Sequence, residues 1–210
     1  MTDQYFSPTP GAAHRPRQVT LALPDLTATL ATDAGVFSPD RVDAGTRLLL
    51  LEAPPIDDAA TVIDLGCGYG PLAVTAARRA PGATVWAVDT NERAVELCRA
   101  NAQTAGVGDR VHALTVPADD PLAGIPDDVR FDVLWSNPPI RVGKAVLHAL
   151  LRAGLGRLAP DGHAVLVVHK HLGSDSLQRW LVDQGFPTER LVSRQGYRLL
   201  RVLPRTEASP

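Results

Sequence analysis

The sequence of 210 residues is long enough for one domain with a small extension, and a hydrophobic content of 45% is sufficient for a sizeable core. The formal net charge of -2 excludes a global basic field for nucleic acids, so any such binding needs a local patch. No apolar run is long enough to span a membrane, and the first residues do not resemble a signal peptide.

The N-terminal part, residues 1–45, is predicted to form an arm and a β-hairpin extension. Residues 1–16 are rich in Pro, Ser, Gly and Ala, which predicts an extended arm with Tyr5-Phe6 as its apolar anchor. Two alternating stretches, 18–23 and 26–30, flank the turn signal Pro24-Asp25 and predict an antiparallel hairpin. We expect the main domain to span residues 46–205, followed by a loose tail at 206–210.

From residue 61 onward, short apolar runs alternate with helical patterns. The predicted strands are 61–65, 84–89, 111–116, 131–136, 163–169, 190–194 and 197–203. The predicted helices are 46–51, 71–79, 91–105, 142–158 and 174–183. This alternation predicts an α/β fold in which a mostly parallel sheet is covered on both faces.

Three stretches follow strands at the same predicted edge of the sheet, where α/β proteins place their sites. They are the glycine loop 66–70, Asp89, and Ser136-Asn137-Pro138-Pro139-Ile140. The two prolines end the strand and leave an amide side chain and several carbonyls with few local donors. This stretch is either a strand-to-helix turn or a site that accepts hydrogen bonds from a substrate amine.

Glycines alternate in the loop, which permits a tight turn and a close approach of a ligand to the backbone. The dinucleotide fingerprint fits poorly, because counting from Gly66 places Pro71 at its last position and counting from Gly68 places Ala73 there. Asp64 suits a ligand ammonium, and Asp89 suits ribose hydroxyls. The pattern therefore favours S-adenosylmethionine, with a tight turn in an unrelated α/β protein as the alternative.

From about Val36 to Leu203 the chain resembles the class I S-adenosylmethionine-dependent methyltransferases. More narrowly, it resembles the small-domain type of the ribosomal RNA guanine-N2 methyltransferases. The motifs that carry the resemblance are Tyr5-Phe6-Ser7, Gly35-Val36-Phe37-Ser38, Val42-Asp43-Ala44-Gly45-Thr46, Asp64-Leu65-Gly66-Cys67-Gly68-Tyr69-Gly70-Pro71, residues 137–144, and Gly196-Tyr197. The resemblance implies a doubly wound seven-stranded sheet, Rossmann-like, with an antiparallel last strand between the fifth and sixth.

The resemblance also implies roles for individual residues. The implied cofactor-binding residues are Asp64, Gly66, Cys67, Gly68, Gly70, Asp89, Thr90, Asn91, Phe37 and Thr46. The implied catalytic stretch is Asn137, Pro138 and Pro139, in which the Asn oxygen and the carbonyl of the following Pro accept the two hydrogens of an exocyclic amine. The fourth position, Ile140, cannot stack on a base as an aromatic would, which weakens the case for an adenine-directed enzyme.

The only two lysines, Lys144 and Lys170, follow predicted strands at the active edge, together with Arg141 and His171. We assign Ile140, Arg141, Lys144 and Lys170 to substrate binding, with phosphate contact as the hypothesis for the cations and a solvated edge as the alternative. The six histidines show no metal-ligand spacing, so no metal is expected.

Three functions are compatible with these motifs. The leading hypothesis is methylation of guanine N2 in ribosomal RNA or a ribosomal particle. The others are methylation of a protein glutamine amide and a non-catalytic cofactor-binding subunit. Cys67 and Cys98, in different elements and without an export signal, predict reduced thiols and a cytoplasmic location. The sequence does not determine the oligomeric state.

Overall fold

A computed structural model describes residues 12–205, so the predicted anchor Tyr5-Phe6 and the predicted tail lie outside the described residues. The strands are β1 (Arg17–Ala22), β2 (Thr27–Thr32), β3 (Thr61–Leu65), β4 (Thr84–Asp89), β5 (Val111–Thr115), β6 (Phe131–Ser136), β7 (Leu158–His169), β8 (Thr188–Arg194) and β9 (Tyr197–Val202). The helices are α1 (Ala44–Glu52), α2 (Pro71–Arg79), α3 (Glu92–Thr104), α4 (Lys144–Leu155) and α5 (Ser174–Asp183).

The main sheet has seven strands in the order β5-β4-β3-β6-β7-β9-β8. β3 pairs in parallel with both β4 and β6, so the carboxyl ends of these three strands share one edge. β9 runs antiparallel to β7 and to β8. The predicted doubly wound sheet is therefore confirmed, with its antiparallel last strand between the fifth and sixth strands of the sheet.

Apolar side chains cover both faces of this sheet. Leu49 of α1, Val74 of α2 and Val95 of α3 belong to one buried cluster. Leu151 of α4 and Leu181 of α5 belong to a second cluster on the opposite face. Both layers are needed because the central strands are apolar on both sides, as is typical of parallel sheets.

Two predicted boundaries are wrong around residues 156–162. The helix predicted to run to Leu158 ends at Leu155, and the strand predicted to begin at His163 begins at Leu158. Pairing with β6 shifts register, because Leu158 lies opposite Phe131 and His163 lies opposite Val133. The intervening residues, which read as a turn signal in the sequence, form a bulge within the strand.

The predicted N-terminal hairpin is present as β1 and β2, which pair only with each other. Asn101 of α3 holds its second strand: the amide nitrogen donates to the carbonyl of Ala31 (2.9 Å) and the amide oxygen accepts from the N–H of Ala31 (2.7 Å). The same nitrogen donates to the carbonyl of Tyr69 in the glycine loop (2.8 Å). One buried side chain thus fixes the hairpin against the loop.

Within residues 12–205, the helices are too short or too polar for any of them to cross a membrane.

Candidate active site

A cavity of about 890 Å³ lies at the carboxyl ends of β3, β4 and β6. The chain order reverses between β3 and β6, and ligands bind at such switch points in open α/β sheets. The structure brings most of the predicted site residues to this cavity: Phe37, Thr46, Gly66, Cys67, Gly68, Asp89, Thr90, Asn91, Asn137, Pro138, Pro139, Ile140 and Arg141. The predicted residues Asp64, Gly70, Lys144 and Lys170 do not line it.

The glycine loop uses most of its own N–H groups. Those of Gly66 and Cys67 donate to the carbonyl of Val88 (2.8 and 3.0 Å), and that of Gly70 donates to the carbonyl of Cys67 (2.9 Å). The N–H of Gly68 donates to the Asp89 carboxylate (2.9 Å). A phosphate cradle needs such groups free for the ligand. The loop is therefore poorly suited to a pyrophosphate, in agreement with the mismatch of the dinucleotide fingerprint.

Asp89, at the end of β4, is held rigidly at the cavity. Its Oδ2 accepts from Gly68, and its Oδ1 accepts from the N–H of Asn91 (2.9 Å). Burial raises the pKa of Asp89, although these backbone donors oppose the shift. A carboxylate oxygen has capacity for a second hydrogen bond, so the hydroxyls of a ribose can still donate to it.

Asp64 lies behind the cavity wall and is only 1% exposed. Its Oδ2 accepts from the N–H of Ala73 at the start of α2 (3.1 Å), whereas its Oδ1 is buried without a hydrogen-bond partner in the described part of the chain. Burial, with a smaller contribution from Asp89, raises the pKa of Asp64 to about 8. Such an unpartnered buried oxygen fits a nearby cationic ligand, but contact with the cofactor ammonium stays a prediction.

Gly70 allows the glycine loop to pack closely against α3. Its φ of +90° is strained for other residues, and a Cβ there would lie 2.6 Å from the sulfur of Cys98 in α3. Cys67 lines the cavity, but a hydrogen bond with the Cys98 thiol, together with burial, raises the pKa of the Cys67 thiol. The Cys67 side chain therefore packs against α3 as a neutral thiol.

The opposite wall begins where β6 ends. The hydroxyl of Ser136 donates to the carbonyl of Leu65 (2.6 Å), which ties the ends of β6 and β3 together. The N–H of Ile140 donates to the carbonyl of Pro138 (2.8 Å), and Pro139 has φ -73° and ψ 77°, an inverse γ-turn. The Pro138 carbonyl keeps one lone pair for a ligand. Pro139 also faces the glycine loop, since a Cβ on Gly66 would lie 3.8 Å from its Cδ.

The Asn137 amide is fixed in one orientation by residues more than ninety positions away. Its nitrogen donates to Oδ2 of Asp43 (2.9 Å, 94 residues earlier) and to the hydroxyl of Thr46 (3.0 Å). Because a carboxylate only accepts, the nitrogen must face Asp43 and the amide oxygen is left for other donors. Thr46 was predicted to bind the cofactor, and the structure adds this contact with Asn137.

Asp43 is a residue of the site that was not predicted: it belongs to the motif of residues 42–46 but was given no role. Its position directly before a helix is a signal for an N-cap, and its carboxylate accepts from the N–H groups of Gly45 (2.8 Å) and Thr46 (3.1 Å). Nothing in the sequence pairs it with Asn137. Tyr197 of β9 also lines the cavity and packs at Gly45, where a Cβ would lie 2.7 Å from its ring.

Phe37 closes the cavity from the N-terminal side and is 46% exposed. The segment before it is held on α3, since the amide nitrogen of Asn91 donates to the carbonyl of Gly35 (2.8 Å) and Arg93 donates to that of Ala34 (2.6 Å). The amide oxygen of Asn91 caps α3 by accepting from Ala94 (3.2 Å). The Asn91 side chain is therefore also a structural support of the site.

Ile140 is half-buried and packs against the core cluster of α4 and α5, while Arg141 lies exposed at the cavity. Lys144 is exposed at the first position of α4, and Lys170 is exposed directly after β7. None of the three cations Arg141, Lys144 and Lys170 forms an ion pair with a described acidic residue.

Within residues 12–205, no group of three His, Cys, Asp or Glu side chains is arranged to hold a metal ion.

Comparison with known proteins identifies the class. The family model "Methyltransferase small domain" matches residues 27–201, so the chain belongs to this family, and the cavity residues fit its cofactor, S-adenosylmethionine. The solved Thermus thermophilus 16S rRNA N2 methyltransferase RsmC, in complex with AdoMet and guanosine, superposes with a TM-score of 0.76 at 27% identity, over 90% of this chain and 51% of that one.

Two sequence relatives are similar over most of this chain. The Bacillus subtilis protein described as the uncharacterized protein YbxB is 30% identical over 203 residues, which is 96% of this chain and 98% of that protein. The ribosomal RNA large subunit methyltransferase G of Pseudomonas putida is 36% identical over 176 residues, or 81% of this chain and 46% of that protein. The chain thus spans nearly all of the first relative and about half of the second and of RsmC.

Proposed function

We propose that this protein transfers a methyl group from S-adenosylmethionine to an exocyclic amine, N2 of guanine in ribosomal RNA. The observation that carries the proposal is the fixed Asn137 amide. Its nitrogen is hydrogen-bonded to Asp43 and Thr46, so its oxygen is available as an acceptor beside the cavity, together with the remaining lone pair of the Pro138 carbonyl. Two such acceptors match the two hydrogens of an amine.

The cofactor supplies an electrophilic methyl group on a sulfonium. The residues of this chain supply position and electrostatics. By accepting both amine hydrogens, Asn137 and Pro138 favour a pyramidal nitrogen whose lone pair is free for in-line attack. Positioning of this kind lowers a barrier by roughly 7–11 kcal/mol in favourable cases. The same oxygens stabilise the positive charge that develops on the nitrogen, so no strong base is needed before transfer. As the nitrogen–carbon bond forms, the carbon–sulfur bond would break to leave a neutral thioether, and the methylated amine then releases one proton to solvent.

Because Ile140 is not aromatic, the target base must be bound by other side chains. Rings of Phe37, His169, His171 and Tyr197 line the cavity, and the His169 ring meets Tyr197 edge to face with centroids 5.0 Å apart. These rings offer apolar and stacking surface to a base that has been rotated out of a helix or taken from a single-stranded segment. They support a planar substrate over a flexible peptide side chain.

The exposed cations support an RNA substrate. Lys144 occupies the amino terminus of α4, where the helix dipole disfavours a positive charge, so helix stability does not explain it. By contrast, arginines of the β8–β9 hairpin are paired: Arg194 with Glu52 and Arg201 with Glu189. Unpaired cations beside the cavity are suited to phosphate contacts.

The experiment that tests the target is nucleoside analysis by mass spectrometry of ribosomal RNA from a strain without the gene. We expect one N2-methylguanosine to disappear and to return when the wild-type gene, but not an Asn137→Ala gene, is restored. An unchanged set of methylated nucleosides would contradict the proposal and favour the glutamine-amide alternative.

RNA contact is tested separately by replacing Lys144 and Lys170 together with Ala. The probe is ribosomal RNA from the same strain, and we expect weaker binding, with a salt slope reduced by about 0.7–0.9 for each phosphate that is no longer neutralised. The control is Arg130→Ala, which removes an exposed cation just before β6, at the opposite edge of the sheet. An unchanged salt slope in the double variant would remove these lysines from the RNA interface.

A further inference from the structure

The two oxygens of the Asp43 carboxylate are used unequally. Oδ2 accepts three hydrogen bonds, from the N–H groups of Gly45 and Thr46 and from the amide nitrogen of Asn137 (2.8, 3.1 and 2.9 Å). No described residue donates to Oδ1. Asp43 is half-buried and lines the cavity, and its Oδ1 is not shut away from solvent. An anionic acceptor therefore stands available next to the amine clamp formed by Asn137 and Pro138.

Helix capping does not explain why this residue is an aspartate. Asn, Ser or Thr would cap α1 equally well through a single oxygen, as Oδ2 does here. The carboxylate is close enough to both tyrosines of the cavity to act on them: burial is the main cause that raises the pKa of Tyr69 and Tyr197, and the Asp43 carboxylate adds to it for both. A negative charge held between two tyrosines and the Asn137 amide points to a ligand that donates to it.

We propose that Asp43 has two tasks: Oδ2 positions Asn137, and Oδ1 accepts the ring N–H that neighbours the exocyclic amine of the target base. The inference rests on the proposed function and deepens it, because it states how the base is chosen. The site then presents three acceptors to the base: Asp43 Oδ1, Asn137 Oδ1 and the Pro138 carbonyl.

Three acceptors match guanine and reject its competitors. Guanine presents the ring N1–H beside the two hydrogens of N2, which gives three donors on one edge. Adenine presents an amine beside a ring nitrogen with a lone pair, and a glutamine amide presents an amine beside a carbonyl oxygen. In both cases Asp43 Oδ1 would face another acceptor and remain unpaired at the site, which is costly for a charged group. The arrangement therefore also disfavours the glutamine alternative.

The sharpest probe is 2-aminopurine, which keeps the amine at position 2 but has a lone pair at ring N1. We expect the wild-type protein, with S-adenosylhomocysteine bound, to bind guanosine on the order of 10–100-fold more tightly than 2-aminopurine riboside, as measured by NMR titration. Single-turnover methyl transfer to RNA carrying either base at the target position should show the same preference.

The matched variant is Asp43→Asn. The Asn oxygen can still accept from Gly45, Thr46 and Asn137, while its amide nitrogen replaces Oδ1 and turns an acceptor into a donor. We expect the preference for guanosine to fall at least about tenfold, with the melting temperature and the affinity for S-adenosylmethionine close to those of wild type. Asp40→Asn is the control, because Asp40 is exposed and does not line the cavity; its preference should equal that of wild type.

The outcomes separate the inference from the proposed function. Equal binding of guanosine and 2-aminopurine riboside by wild type would overturn the inference without any variant being needed, and so would an unchanged preference in Asp43→Asn. If the wild-type protein nevertheless methylates guanine, the proposed function stands. If it methylates no guanine in ribosomal RNA, the function and the inference fall together.

Discussion

The two walls of the cavity are built in different ways. The wall that is predicted to hold the cofactor, called the cofactor wall, is one local unit, since the loop from Gly66 to Gly70 hydrogen-bonds with itself and with the end of the neighbouring strand at Val88 and Asp89. The acceptor wall is assembled from distant segments: Asn137 follows β6, Asp43 and Thr46 belong to the start of α1, and Tyr197 begins β9. A fault in one wall should therefore leave the other intact, which the following changes test.

Asn137→Ala should have the largest effect. We expect methyl transfer to fall by at least about 10²–10³-fold, because an acceptor that acts on the developing charge is removed. Binding of S-adenosylmethionine should remain nearly unchanged, because the Asn137 side chain hydrogen-bonds to Asp43 and Thr46 rather than to the glycine loop. Single-turnover kinetics and calorimetry measure the two quantities. Loss of cofactor binding as well would mean that the walls are not independent.

Two glycines within the cofactor wall should respond differently to substitution. Gly70→Ala should lower the free energy of unfolding by about 2–4 kcal/mol, because it adds overpacking against Cys98 to the strain of a positive φ. Gly68→Ala, also at positive φ but with open space around its Cβ position, should cost only about 1 kcal/mol. Urea denaturation measures both. Adding Cys98→Ala should recover part of the stability that Gly70→Ala removes, and no recovery would contradict the packing explanation.

Asp89→Asn should affect the cofactor wall alone. We expect the dissociation constant for S-adenosylmethionine to rise about 10–100-fold, because a charged acceptor for the ribose is replaced by a neutral one. The rate of transfer at saturating cofactor should stay close to that of wild type. Asp120→Asn, in an exposed position outside the cavity, is the matched control. Equal affinities for the Asp89 variant and the control would refute the assignment of Asp89 to the ribose.

Asp64→Asn should change the pH dependence of stability. Burial raises the pKa of Asp64 to about 8, well above its value in an unfolded chain. Between about pH 4 and pH 8 the folded protein keeps a proton that the unfolded chain has released, so stability falls as pH rises and levels off above pH 8. Asp64→Asn should remove this part of the decline in urea denaturation across that range. Parallel curves for variant and wild type would show that Asp64 does not titrate there.

The turn, the strand ends and the edge position of the cofactor wall could be predicted from the sequence, although the predicted residues Asp64 and Gly70 do not line the cavity. Its glycines, its strand ends and Asp89 are close together in the chain. Alternating glycines after an apolar strand indicate a tight turn, because glycine adopts backbone conformations that other residues disfavour. The strands β3, β4 and β6 were predicted with the observed bounds, because short apolar runs of this kind are the typical signal of a buried parallel strand. The bulge in β7 was not predicted, since Pro160-Asp161-Gly162 is a turn signal in any local reading.

By itself, the sequence determined the sheet, the edge that carries the site and the presence of Asn137 at that edge. Only the tertiary structure decided what Asn137 is bonded to. The pairing with Asp43 depends on α1 docking against the end of β6, and a contact across 94 residues leaves no trace in local periodicity or spacing. For the same reason, only the fold showed that Asp64 lies behind the cavity and that Lys144 and Lys170 lie outside its lining. Side-chain direction and long-range contact are properties of packing, which the sequence specifies only through the folded chain.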